Sequence, residues 1–111
     1  MTNHVITGAK LTDGTTTDLY VRDGILVDEA PADAQRIDAD GLIALPGLVD
    51  LHTHLREPGR EDAETVASGT MAAARGGFTA VFAMANTDPV TDDAEKAEYI
   101  KLLGERDGHC Q

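Results

Sequence analysis

The stretch Pro46-Gly47-Leu48-Val49-Asp50-Leu51-His52-Thr53-His54-Leu55-Arg56-Glu57-Pro58-Gly59 decides how the rest of the chain is read. Gly47 to His52 reads as a short strand, and it ends in the triplet His52-Thr53-His54. Residues i and i+2 of a strand point to the same face, so the two imidazoles can converge on one cation. Imidazole suits zinc, nickel, iron and similar borderline metals. With four His in 111 residues, a His-x-His pair arises by chance about 0.14 times. Spacing alone therefore leaves metal ligation level with an ordinary pair of solvent-facing histidines.

Downstream of this stretch the pattern alternates. Residues 62–75 read as a helix, with Ala63, Val66, Ala67, Thr70, Met71 and Ala74 at helical spacings, Glu61, Asp62 and Glu64 crowding the first turn, and Arg75 in the last. Gly76-Gly77 stops it. Residues 78–84, Phe-Thr-Ala-Val-Phe-Ala-Met, are nearly continuous in apolar side chains, as a strand buried on both faces of a parallel sheet requires. A second helix is expected over about 94–105, capped by Asp92 or Asp93, with Glu98 and Lys101 three apart. Strand, helix, strand, helix opens a βα barrel or an open α/β sheet. In a barrel, the end of the first strand, where the histidines stand, is the catalytic face.

Upstream, residues 3 to about 46 read as small β-structure. His4–Thr7 and Asp18–Arg22 are strand candidates, Asp23-Gly24 signals a type I′ hairpin returning through Ile25-Leu26-Val27, Arg36-Ile37-Asp38 alternates, and 42–45 is a short apolar run. Such strands predict a small sheet or sandwich. The domain reading is 1–46 for the β-rich segment and 47–111 for the start of the βα unit. A closed (β/α)8 barrel takes roughly 200 residues or more, so residues 47–111 can hold only two βα units, and the sequence is expected to be the N-terminal portion of a longer protein.

Other residues near the histidines have two readings each. Arg56 can clamp a substrate carboxylate, or be a surface cation paired with Glu57 or Glu61. Asn86 follows the second strand and can hydrogen-bond a polar substrate, or simply shape the turn before Asp88-Pro89. Asp50 can orient a histidine or bond to backbone. His109-Cys110 has no nucleophile–base geometry in itself. Phe82 and Met84 are expected in the core and His4 at the surface.

Composition sets outer bounds. Lys and Arg number 9 against 20 Asp and Glu, a net charge of −11. That disfavours sequence-independent nucleic-acid binding and docking on anionic lipid. A single cysteine excludes an internal disulfide framework and suits a reducing cytosol. Met1-Thr2-Asn3-His4 carries neither the basic nor the apolar part of a leader, so the expected location is cytoplasmic.

Residues 46–54, with the pattern Pro-Gly-apolar-apolar-Asp-x-His-x-His, resemble the opening of the metal-binding barrel in the amidohydrolase superfamily. Within it, Leu55-Arg56-Glu57-Pro58-Gly59 and the run from Gly76-Gly77-Phe78-Thr79 to Met84-Ala85-Asn86-Thr87-Asp88-Pro89-Val90 resemble the dihydroorotase family, of the longer bacterial and multienzyme-associated type. Ala85 departs from the Pro common before this Asn. The resemblance implies a metal-dependent TIM-like (β/α)8 barrel, here its first two βα units, preceded by part of a composite β-sandwich. It implies zinc, one or two ions per site, with His52 and His54 as ligands, and Arg56 and Asn86 on the carboxylate of dihydroorotate. The activity implied is reversible cyclisation of N-carbamoyl-L-aspartate in pyrimidine synthesis. The general-base Asp and the remaining ligands fall on later strands, so residues 1–111 alone are expected to be inactive. The resemblance further implies a homo-oligomer, in a family with members that associate with aspartate transcarbamoylase. The alternatives are an allantoinase or dihydropyrimidinase type of cyclic amidohydrolase, in which Arg at position 56 is atypical, and a non-catalytic dihydroorotase-like subunit, a kind that commonly loses metal ligands.

Overall fold

Asp23 and Gly24 take φ of 51° and 83°, the two positive values a type I′ turn needs, in the computed structural model, which describes residues 2–111. The turn joins β2 (Thr16–Arg22) to β3 (Ile25–Val27), with Arg22 opposite Ile25. β1 (His4–Lys10) lies antiparallel to β2 and parallel to β4 (Gln35–Asp38), in the order β3-β2-β1-β4. A register shift between Ile6 and Ala9 is held by Gly8, at φ 73°, whose amide donates to Asp18 Oδ1 at 2.9 Å.

This first unit, Met1–Pro46, is a single sheet among its described residues, without the second layer of a sandwich. Two expectations fail locally. The apolar run 42–45 forms no strand, only a bridge between Ile43 and Lys10, and Leu42, Ile43 and Leu45 stay exposed. His4 is half-buried rather than on the surface, and its Nδ1 is buried without a hydrogen-bond partner.

The second unit, Gly47–Gln111, alternates as expected. β5 (Leu48–Thr53), α1 (Val66–Arg75), β6 (Phe78–Ala83) and α2 (Ala94–Asp107) follow in order. β5 and β6 pair in parallel, Asp50 opposite Val81 and Thr53 opposite Ala83. The Gln111 amide donates to Thr79 O at 3.0 Å and its carbonyl accepts from Val81 N at 2.6 Å, so the ladder continues on the outer edge of β6.

α1 begins four residues later than its apolar spacing predicts. Thr65 is the N-cap: its side chain accepts from Ser68 N, and the Ser68 hydroxyl accepts from Thr65 N. This capping box outcompetes the acidic residues, which lie ahead of the helix and leave its first turn without an acid. Glu57 from the preceding loop supplies the negative charge instead, accepting from Val66 N at 2.7 Å. At the other end Gly76 N donates to Ala72 O and Ala73 O, and Gly77 turns out of the helix at φ 86°. α2 starts at its N-cap Asp93, whose carboxylate accepts from Lys96 N. Hydrogen bonds from the Lys96 side chain and amide hold the Asp93 carboxyl below the usual carboxylate range. This contribution is therefore present above the ordinary Asp pKa and is lost as pH falls through the lowered one.

Leu55, Val66 and Leu103 form the core of this unit, with Val81 packed against them. Gly69 lets α1 close on Leu55, since a Cβ there would stand 2.7 Å from Leu55 Cδ2. Successive strand residues face opposite ways, so Phe82, next to Val81, turns from that core and is 57% exposed. The double burial expected of residues 78–84 needs a second covering layer, which the described residues do not supply. Met84 is half-buried. Among the described residues no helix is long and apolar enough to cross a membrane.

Thr65→Ala should cost about 1 kcal/mol in urea unfolding and speed amide exchange at Ser68, with Thr65→Asp restoring both.

Candidate functional site

His52 lies on β5 and His54 one residue beyond its end. Their rings pack edge to face, centroids 5.0 Å apart with an interplanar angle of 63°. Two imidazoles bound tetrahedrally to one ion, with nitrogens about 2.0–2.1 Å from it, have ring centres roughly 5 Å apart. The pair therefore fits a shared cation. No group of three or more His, Cys, Asp or Glu able to hold a metal occurs among the described residues, so the chain offers two donors of the three that a catalytic zinc normally takes from protein.

Asp50 does not orient either ring. Its Oδ1 accepts from His52 N at 2.9 Å, the backbone bond that was the competing reading of this residue. The group that reaches an imidazole is Asn86, whose Oδ1 accepts from His54 Nδ1 at 2.7 Å. Parallel pairing explains how residues 32 apart in sequence meet. Met84 N donates to Thr53 O at 2.8 Å, which brings the loops leaving β5 and β6 side by side. Barrel logic assigns Asn86 to the histidine end of the sheet, but nothing in the sequence signals its contact with His54.

Arg56 is exposed and makes no ion pair among the described residues. The acids proposed as its partners are engaged elsewhere: Glu57 caps α1, and Glu61 accepts from Gly59 N at 2.9 Å. Arg56 also has φ of 57°, a left-handed conformation that costs a residue with a Cβ about 1–2 kcal/mol. Its neighbours enforce it. Leu55 is buried before it, Glu57 is tied to α1 after it, and Arg56 O accepts from Arg60 N at 2.9 Å.

Gly59, at φ 105°, closes the arrangement. A Cβ there would overlap the carbonyl oxygen and Cβ of Asp88, whose amide donates to Pro58 O at 3.0 Å. The β6 loop is braced in turn by Thr87, which donates to Pro89 O at 2.8 Å and bonds Thr91 Oγ1 at 2.7 Å. Sequence reading missed Glu57 as a cap and Gly59 as a close approach; the Pro58-Gly59 dipeptide was the only local sign, and it indicated a turn without its partner. Cys110 is free and half-buried, and His109 meets Thr70 Oγ1 through its backbone amide, so neither joins the histidine pair.

Gly77 also has positive φ, but nothing stands within 4 Å of its would-be Cβ. Gly77→Ala should therefore cost about 1 kcal/mol for the backbone conformation alone. Gly59→Ala should cost at least about 1 kcal/mol more in chemical denaturation, and equal losses would show that the Asp88 contact is slack.

Comparison with known proteins identifies the family. The family model described as "Dihydro-orotase-like" matches residues 41–106. A dihydroorotase of Leifsonia xyli subsp. xyli is 59% identical over 110 residues, covering 96% of this chain and 25% of the relative. A dihydroorotase of Streptomyces coelicolor is 51% identical over 115 residues, covering 99% and 27%. The chain thus spans about a quarter of the length of these curated relatives. Among solved structures, an L-hydantoinase (dihydropyrimidinase) from Arthrobacter aurescens is similar with a TM-score of 0.74 and 29% identity, over 94% of this chain and 25% of that one. The match of that family model over residues 41–106, more than half of the chain, shows that the chain belongs to the dihydro-orotase-like family.

Proposed function

We propose that the chain is the opening segment of a zinc-dependent dihydroorotase, which interconverts N-carbamoyl-L-aspartate and dihydroorotate in pyrimidine synthesis. In this reading residues 47–111 are the first two βα units of a TIM-like barrel, and residues 1–46 are part of a composite β-sandwich. His52 and His54 hold the metal, whose remaining ligands come from strands outside this chain. Bound there, zinc supplies Lewis-acid chemistry at the ring amide. A general-base Asp, also outside this chain, accepts the proton. The enzyme is cytoplasmic and homo-oligomeric.

The observation that carries the reading is the guanidinium of Arg56, which makes no ion pair among the described residues, in the loop two residues beyond the histidine pair. A cation left without a carboxylate partner, on a backbone held in a costly conformation, suits a substrate that brings its own carboxylate. Arg binds that group through two parallel hydrogen bonds, and Asn86 contributes an amide beside it. The similarity to a hydantoinase favours a second reading, a cyclic amidohydrolase whose substrate lacks a free carboxylate, but such a substrate gives Arg56 nothing to hold.

In the full-length protein His52→Ala should remove metal and activity together. Arg56→Ala should keep metal content and raise KM for dihydroorotate on the order of 100-fold, the loss of a charge-assisted bidentate contact. Activity on allantoin or hydantoin exceeding that on dihydroorotate would favour the second reading.

A further inference from the structure

We propose that Asn86 is a positioning residue for His54, so that one side chain serves both the metal ligand and the substrate carboxylate. This rests on the reading of His54 as a ligand. The argument begins with the atoms in contact. A carbonyl oxygen only accepts, so the 2.7 Å contact with Asn86 Oδ1 puts the hydrogen on His54 Nδ1. In the neutral ring Nε2 then keeps its lone pair, the tautomer needed to bind a cation through Nε2. Metal-ligating imidazoles commonly donate their second N–H to a carboxylate, a backbone carbonyl or water. The nearby carboxylate, Asp50, accepts from His52 N through Oδ1 and bonds neither ring among the described residues. Asn86 is the one hydrogen-bond partner of the His54 ring among the described residues.

The residue type carries the second half of the argument. Asn86 Nδ2 makes no hydrogen bond among the described residues, so two N–H donors remain for a ligand oxygen. An Asp in this place would orient His54 equally well, but it would set a negative charge where Arg56 and the amide receive an anionic substrate. A neutral amide does both tasks. Binding of the substrate carboxylate and orientation of the metal ligand are therefore coupled through a single side chain rather than through the backbone.

The test uses the full-length protein, with zinc itself as the probe in chelator competition, and KM and kcat measured on metal-saturated enzyme. Asn86→Ala should weaken zinc binding about 10- to 100-fold and raise KM. Asn86→Asp should return zinc affinity to within about threefold of the native value while KM stays raised. Native zinc affinity in Asn86→Ala, or no recovery in a folded Asn86→Asp, overturns the proposal. His54→Ala separates the two levels: zinc affinity unchanged there refutes the metal reading itself, whereas zinc lost in His54→Ala but retained in Asn86→Ala refutes only the role of Asn86.

Discussion

The parallel ladder between β5 and β6 is the constraint on which the candidate site depends. Antiparallel neighbours would put the end of one strand beside the start of the next. Parallel ones put both C-terminal ends, and so both outgoing loops, at one edge. The bond from Met84 N to Thr53 O is the last rung. Directly beyond it stand His54 on one side and Asn86 on the other. The cost of a parallel pair is a long crossover, and α1 provides it. Gly69 allows the close packing of α1 on Leu55 that makes the crossover compact.

The loop that carries Arg56 is built into this crossover rather than appended to it. Glu57 satisfies a backbone N–H at the start of α1, where the helix dipole favours a negative charge. Glu57 makes no ion pair with Arg56 among the described residues. Gly59 then lies against Asp88, and the Asp88 amide bonds Pro58 O. Helix cap, arginine loop and asparagine loop thus form one continuous chain of contacts. The backbone cost at Arg56 is met by fixed neighbours on both sides, which is how unfavourable conformations persist where function needs them.

Much of this architecture was legible in the sequence, and the exceptions have a common cause. The hairpin at Asp23-Gly24, the two strand–helix pairs, the glycine stop after Arg75 and the shared face of the histidines all follow from short-range rules: turn chemistry, periodicity and capping. What could not be read depends on partners distant in sequence. The start of α1 is set by the Thr65–Ser68 capping box, and Glu57, outside the helical pattern, takes the place of the nearer acids at Val66 N. The composition of its strand predicts burial of Phe82 on a second face, but that face has no cover among the described residues. Asn86 was read as a turn residue or a substrate contact because the register that brings it to His54 is a property of the sheet.

Charge adds a final step. The chain carries a net charge of −11, yet among the described residues the rings of His52 and His54 and the amide of Asn86 make no bond to a carboxylate, and Arg56 makes no ion pair. Three nearby acids each give one oxygen to the backbone: Asp50 to His52 N, Glu57 to Val66 N and Glu61 to Gly59 N. These bonds keep the acidic side chains against the loops, with one oxygen of each held by a backbone N–H. The long-range field is screened beyond about 10 Å at moderate salt, and the short-range hydrogen bonds decide what is bound.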